Sequence, residues 1–259
     1  MLGEDHPNTA VAIFYLGVIY FKQGKLGEAE PLLAKSKEMI RRTLGERHPS
    51  TVLLTSMLGR IYFNQAKFAQ AEPLYFDMLE AQRRSSGEEQ PETLTLMSAL
   101  ARIYRMQGKY AQAETLLSKA LAVRRRAPDP KNLSTTNSKV ALARVWLLQR
   151  KYEASESLLR EAINDYEKLP DRWERYLVQS MLGESLAGQR KYPEAEPLLL
   201  SGYQGIVKRE GAIPEDDRVE VETALDQIGQ LYQDWGKAEQ AAEWRAKLET
   251  RRTWQKKIF

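Results

Sequence analysis

Three stretches decide the reading of this chain: LGEDHPNT at Leu2–Thr9, LGERHPST at Leu44–Thr51 and SGEEQPET at Ser86–Thr93. They are 42 residues apart each time. A fixed period of this length marks a repeat architecture, and it governs every other inference. Continuing the register adds units beginning at Pro128, Pro170 and Pro214; the fifth is two residues short, and a four-residue insertion, Glu210 to Ile213, precedes the sixth. The expected organisation is a single array over 1–259 with repeats 2–43, 44–85, 86–127, 128–169, 170–209 and 214–255.

The columns of the alignment carry the physics. One reads Leu16, Leu58, Leu100, Leu142, Leu182, Ile228, and the next reads Gly17, Gly59, Ala101, Ala143, Gly183, Gly229. Three further on stand Tyr20, Tyr62, Tyr104, Trp146, Leu186 and Tyr232. A Leu and an aromatic four residues apart share one helical face, and the small residue lets another helix approach closely. Gly24, Gly108 and Gly236 stand where a first helix must stop, because glycine accepts the left-handed conformation of a helix end. Ala66, Arg150 and Arg190 fill that column elsewhere, which predicts a turn that differs between units. A second amphipathic stretch begins at Ala29, Ala71, Ala113, Ser155, Ala195 and Ala241. Pro193 suits the first position of its helix; Pro31, Pro73 and Pro197 lie about one turn inside and each remove a backbone bond.

Each unit is therefore helix, turn, helix, and no strand pattern occurs. First helices are expected near 7–22, 49–64, 91–106, 132–148, 171–188 and 215–235. One unit cannot bury its apolar face, but stacked units share a core.

The pattern Leu-small-x-x-Tyr, then Gly-Lys-Tyr, then Ala-Glu resembles the tetratricopeptide repeat (TPR), whose usual length is about 34 residues. The 42-residue unit, with LGEDHP between helices and QGKYAQAETLL within, is similar to the long variant of kinesin light chains and of bacterial multidomain proteins. The ending LYQDWGKAEQAAEWRAKL resembles the close of arrays appended to bacterial serine/threonine kinases. The resemblance implies an all-α fold, a right-handed α-solenoid of six TPR helix pairs whose first helices line a concave groove for peptides or proteins. One departure is evident. Kinesin-like repeats carry an Asn pair before the Leu-small motif; the pairs here are Phe14-Tyr15, Ser56-Met57, Ser98-Ala99, Val140-Ala141, Ser180-Met181 and Asp226-Gln227. An amide clamp on a peptide backbone does not carry over.

Composition narrows the function. There is no cysteine and there are two histidines, which removes thiol chemistry and leaves little for a histidine metal site. No metal and no cofactor are expected. His6 and His48 each precede a proline that opens a helix, so both read as turn residues. No run of about 18 apolar residues suggests a membrane span, and no basic-then-apolar leader suggests export. A cytoplasmic location is expected. No P-loop, nucleophile elbow or paired-carboxylate signature is present, so the chain is not expected to be an enzyme.

On each first helix, the position midway between the Leu and the aromatic points roughly 160–200° away from the buried stripe. That column reads Val18, Arg60, Arg102, Arg144, Glu184, Gln230. Three arginines in register, with Arg105, predict one basic strip; each guanidinium offers a planar fork for carboxylate or phosphate. Phe14, Phe21, Phe63, Ser98, Asn137 and Glu184 complete the candidate partner-binding set. The alternative is that arginine is a good helix former on a solvated face. A second series, Arg41-Arg42, Arg83-Arg84, Arg124-Arg125-Arg126, Lys208-Arg209 and Arg251-Arg252, ends the second helices and complements their dipoles. No aromatics interleave with it, so nucleic acid is not an expected partner. Lys25, Lys67, Lys109, Lys151, Lys191 and Lys237 recur in every unit and read as caps of the first helix. The function that follows is a protein- or peptide-binding scaffold for an extended, partly acidic segment. The other reading is a spacer or self-association element of a larger, kinase-linked bacterial protein, with other domains of the same chain as partners.

Overall fold

A computed structural model describes residues 7–126, 133–214 and 217–258 of the 259-residue chain. The described residues form helices and turns, with no strand among them. The first helices are α1 (Pro7–Lys22), α3 (Pro49–Asn64), α5 (Pro91–Met106), α7 (Ser134–Leu148), α9 (Trp173–Gly188) and α11 (Val219–Asp234). The second helices are α2 (Leu26–Leu44), α4 (Phe68–Ser86), α6 (Tyr110–Arg126), α8 (Tyr152–Glu167), α10 (Tyr192–Lys208) and α12 (Ala238–Ile258). The fold is an all-α repeat solenoid. It divides into two compact units, one up to Leu116 and one from Leu117 onward, so the boundary falls inside α6.

Helices α1, α3 and α5 start on Pro7, Pro49 and Pro91, where the sequence places them. Helices α7, α9 and α11 start two to four residues later than expected, because no proline marks their first turn. His48 caps α3, its Nδ1 accepting from the Ser50 N–H at 3.2 Å. Gln90 holds the same place before α5 without a side-chain cap bond. His6 and the proposed repeat start at Pro128 lie outside the described residues. Gly45 and Gly87, at φ of +89° and +94°, turn the chain between repeats, and Thr51 and Thr93 each donate from Oγ1 to those glycines' carbonyls at 2.8 Å. Pro31, Pro73 and Pro197 sit inside α2, α4 and α10, all on the exposed side.

The core follows the columns. Ala29, Ala71, Ala113, Ser155 and Ala195 are fully buried, and the one hydroxyl among them is satisfied by donating to the Ala143 carbonyl at 3.0 Å. Leu58, Leu100, Leu142, Leu182 and Ile228 are buried. The small column is a contact between the two helices of one repeat. A Cβ on Gly17 would stand 2.7 Å from Leu33, one on Gly59 2.9 Å from the Tyr75 ring, and one on Gly183 2.6 Å from Leu199. The insertion forms a short 3₁₀ turn, Glu210–Ala212, which delivers Ile213 into a cluster with Ile206, Val221 and Ala224.

Three expectations need correcting. The turn within a repeat has one backbone form: Ala66, Arg150 and Arg190 take φ of 56°, 60° and 63°, and Gly24, Gly108 and Gly236 take 74°, 75° and 78°. The following lysine N–H reaches back to the carbonyl of the aromatic column, as in Lys67 to Tyr62 and Lys109 to Tyr104 at 2.8 Å, and that bond requires the left-handed residue whatever its side chain. A non-glycine residue there is strained by about 1–2 kcal/mol, against the entropy that glycine adds to the unfolded chain. Ala66→Gly, Arg150→Gly and Arg190→Gly should therefore each gain about 0.5–1 kcal/mol in urea denaturation. An unchanged or lower midpoint in all three would show that the turn carries no strain.

The second correction concerns the lysine column. Where the structure gives partners to these side chains, at Lys25, Lys67, Lys109, Lys191 and Lys237, the partner is a ring or a carboxylate and not a helix-end carbonyl. Each Nζ of Lys25, Lys67, Lys109 and Lys237 lies 5.6–5.8 Å from the ring of its repeat's tyrosine. Four of them bond to a glutamate of the preceding repeat's second helix: Lys67 to Glu30 and Lys109 to Glu72 at 2.7 Å, Lys191 to Glu156 at 3.4 Å, and Lys237 to Glu196 at 3.9 Å. The column is a joint between neighbours. The third correction is Leu16. It is 44% exposed, unlike its equivalents, because no described helix lies on that face of α1.

Candidate functional site

The arginine column separates into two environments. In the unit up to Leu116, Arg60 on α3 lies over the Phe21 ring of α1, its Cζ 5.0 Å from the centroid. Arg102 on α5 lies over the Phe63 ring of α3 at 4.4 Å. Both are the same 39 residues from their aromatic, so the repeat itself builds the two rungs. Both arginines are exposed, and neither forms an ion pair among the described residues. A guanidinium held over a ring spends none of its N–H donors on a carboxylate, which leaves them for a carboxylate or phosphate arriving from outside.

Tyr75 of α4 stands behind these rungs. Its ring fills the space beside Gly59, burial pushes its phenol up, and the charges of Arg60 and Arg102 pull it down. Sequence reasoning missed this residue. The signal was present, since the second-helix column reads Leu33, Tyr75, Leu117, Leu159, Leu199, and only the second unit replaces leucine with a hydroxyl-bearing ring. Phe63 is further held edge-on to Phe68 at 5.5 Å.

Arg144 of α7 differs. Its Nη1 donates to Glu220 Oε1 of α11 at 2.6 Å, and its Nη2 lies 3.8 Å from Met181 Sδ on α9. The Glu220 side chain is 10% exposed. The expectation that Arg144 extends a free basic strip is therefore corrected: its charge is neutralised within the fold. In sequence, the position matching Phe21 and Phe63 is Arg105 in the third repeat, so the Arg-over-Phe pattern stops there. Nothing in the sequence marks Glu220, which reads as an acid complementing the start of a helix dipole.

Glu184 of α9 lies in the same polar group. Gln227 Nε2 donates to its Oε2 at 2.6 Å, and Gln227 Oε1 accepts from Ser180 Oγ at 2.7 Å. Burial pushes the Glu184 carboxyl above its ordinary value, with Glu220 adding to the rise and the Gln227 bond and Arg144 opposing it. The folded state thus favours the protonated form. Its stabilising effect is complete below the ordinary glutamate value and is lost as pH rises through the raised one. Glu184→Gln should melt higher than the parent at pH 7 and lose that advantage on acidification below the ordinary glutamate range. A variant that melts lower at pH 7 would show that the carboxylate charge is used.

The remaining candidates are placed as follows. Phe14 is half-buried with its ring 5.4 Å from that of Tyr15. Arg105 is half-buried near the end of α5. Ser98 Oγ donates back to the Leu94 carbonyl at 2.9 Å, and Asn137 accepts from the Tyr166 hydroxyl at 3.4 Å. The structure brings together Phe21, Arg60, Phe63 and Arg102 of the expected set, and it joins Arg144 and Glu184 to a separate network. The basic ends of the second helices are paired with acids: Arg41 and Arg42 with Glu38, Arg83 with Glu80, Arg125 with Glu161, Arg209 with Asp171 and Arg251 with Glu210. Among the described residues no group of acids or histidines could hold a metal ion, and no helix is long and apolar enough to cross a membrane.

Residues 2–176 match the family model of the MalT-like TPR region. No curated protein matches the chain. Solved structures with the same fold include the nearly identical TPR-like repeats of a putative kinesin light chain from Podosopora anserina, 23% identical with a TM-score of 0.64 over 79% of this chain and 98% of that one. BtubC (BKLC) from P. vanneervenii is 19% identical with a TM-score of 0.66, over 89% and 92% of the two chains. A Rap protein complexed with competence and sporulation factor is 13% identical with a TM-score of 0.61, over 92% and 73%.

Proposed function

This chain belongs to the MalT-like TPR region family, and from that premise we propose that it is a non-catalytic, cytoplasmic protein-interaction scaffold, one array of six repeats over 1–259. Its first-helix face in the unit up to Leu116 takes an extended protein segment bearing acidic or phosphorylated side chains. The observation that carries this reading is the pair of exposed arginines, Arg60 and Arg102, each stacked on the phenylalanine of the preceding repeat and free of acidic partners among the described residues. At the ends of the second helices Arg41, Arg42, Arg83, Arg125, Arg209 and Arg251 are paired with the fold's own acids, whereas Arg60 and Arg102 have no acid among the described residues and stand ready for one from outside. The half-buried Phe14 and Phe21 offer an apolar seat for a residue beside the acidic stretch. The Rap protein in complex with its factor supports the class of partner for this fold.

The test uses a labelled peptide with a leucine beside four glutamates. Binding should weaken as salt is raised, since exposed charges are screened. Arg60→Ala with Arg102→Ala should cost about tenfold or more in affinity, at roughly 1 kcal/mol per exposed charge-assisted contact, with helicity unchanged. Equal binding by the double variant at low salt would place the interaction face elsewhere. Lysine at both positions should restore only part of the affinity, because an ammonium neither stacks as a plane nor presents a fork.

A further inference from the structure

We propose that Arg60, Arg102 and the Tyr75 hydroxyl form one anion site that takes a phosphate monoester on a partner protein's side chain in preference to a carboxylate. The proposal rests on the reading of this face as a protein-binding wall, and it names the group that the wall selects. Tyr75 of α4 is the one ring in a column whose leucines, Leu33, Leu117, Leu159 and Leu199, are at most 2% exposed. A leucine suffices to fill that place in the core; the tyrosine adds a hydroxyl at the far end of a ring. The ring packs where a side chain on Gly59 would stand, its Cζ 3.5 Å from such a Cβ, so the glycine makes room for it. Gly59 precedes Arg60, and the phenol is thereby carried to the turn of α3 from which Arg60 projects. The hydroxyl feels the charges of Arg60 and Arg102 and bonds to no described residue. It is not among the buried unpaired atoms, so it reaches solvent.

Two cations and a neutral donor thus stand together without an acceptor. The wall around them supplies none. Helices α1, α3 and α5 carry Lys22, Arg60, Arg102 and Arg105 against one acid, Glu92, which lies about 15 Å along α5 from Arg102. The count of charges and donors selects the ligand. A glutamate brings one charge and two oxygens, which a single guanidinium fork satisfies. Two glutamates would occupy the two arginines and leave the hydroxyl beside them unused. A phosphate monoester brings close to two negative charges and three acceptor oxygens, enough for both arginines and the phenol.

The test compares labelled peptides in one frame, a leucine followed by serine, phosphoserine or glutamate, with the four-glutamate peptide as the reference for the wall itself. By fluorescence anisotropy the phosphoserine peptide should bind about tenfold tighter than the single-glutamate peptide, and the serine peptide weaker than either. Tyr75→Phe keeps the ring beside Gly59 and removes a hydroxyl that the fold does not use, so the melting midpoint should stay unchanged. Its binding of phosphoserine should weaken about threefold or more, and its binding of glutamate by less than about twofold. Arg60→Ala with Arg102→Ala should erase the preference. Inorganic phosphate should compete only at concentrations far above that of the peptide. Equal affinity for the phosphoserine and glutamate peptides, while the four-glutamate peptide still binds, overturns the phosphate selection and leaves the wall standing. So does a Tyr75→Phe protein that holds phosphoserine as tightly as the parent, or inorganic phosphate that displaces the peptide at equal concentration, since the ligand is then a free anion. Failure of every peptide to bind overturns both readings.

Discussion

Gly202→Leu lowers the melting midpoint by about 6–12 °C. A Cβ at Gly202 of α10 would stand 2.9 Å from the Ser180 backbone nitrogen, 2.9 Å from the Tyr176 carbonyl oxygen and 3.0 Å from Ser180 Cβ. Two of these atoms are main chain of α9, so no side-chain rotation relieves the clash and the helices must part. Gly205, one turn on, faces the Tyr176 ring, and that ring carries Arg209 on its other contact at 4.3 Å. Parting α9 from α10 thus disturbs Tyr176 and the cluster around Ile206 and Ile213 that packs against it. Overpacking of this kind costs about 3 kcal/mol, and for a chain of this size each kcal/mol moves the midpoint by roughly 2–4 °C. Gly59→Leu should cost less, about 1–3 kcal/mol, because it meets a Tyr75 ring that can shift. A Gly202→Leu protein melting within about a degree of the parent would mean that α9 and α10 are not in main-chain contact.

Arg144→Ala should destabilise by about 3 kcal/mol, near the low end of the cost of breaking a buried ion pair because Arg144 is itself 26% exposed. The loss comes from the partner: Glu220 is left with its carboxylate in the fold and no cation. Replacing both residues by methionine removes the charge problem while filling the volume, and should return stability to near the parent. A double-mutant cycle by urea denaturation measures the coupling. If Arg144→Ala is as stable as the parent, the Arg144–Glu220 contact carries no energy, and Arg144 is again a candidate for the binding strip.

Much of the fold was legible because a 42-residue period repeats a small set of constraints: a buried Leu, a small neighbour, an aromatic one turn on and a left-handed turn. The misreadings share a cause. Ala66, Arg150 and Arg190 suggested a variable turn because residue type was taken as a proxy for φ, whereas the backbone bonds of the turn dictate φ in every repeat. The lysines read as caps because their acids lie 35 to 41 residues earlier, across a repeat boundary that local pattern does not cross. In the candidate site, the register of Arg60 and Arg102 placed both on one face, and Phe21 and Phe63 were among the expected residues. Their stacking was not legible, because it depends on the offset between neighbouring repeats. Tyr75 and Glu220 were missed for opposite reasons: one is a visible exception in a column, and the other is an ordinary acid whose partner lies two repeats away.

The lysine–glutamate joint has an evolutionary consequence. The first five repeats carry both halves of it, a cation after the first helix and an anion in the second, at the same register in consecutive units; the sixth carries Lys237 but has Ala242 in the place of the acid. Excising exactly one period, residues 44–85, would bring Lys109 opposite Glu30 with the spacing that Lys67 has now. Loss or duplication of one of these five units leaves every seam matched, whereas a deletion of any other length strands one half. Arrays built with this seam can lengthen and shorten by recombination between copies without passing through a misfitted intermediate, so the number of repeats is free to follow the size of whatever the surface must hold.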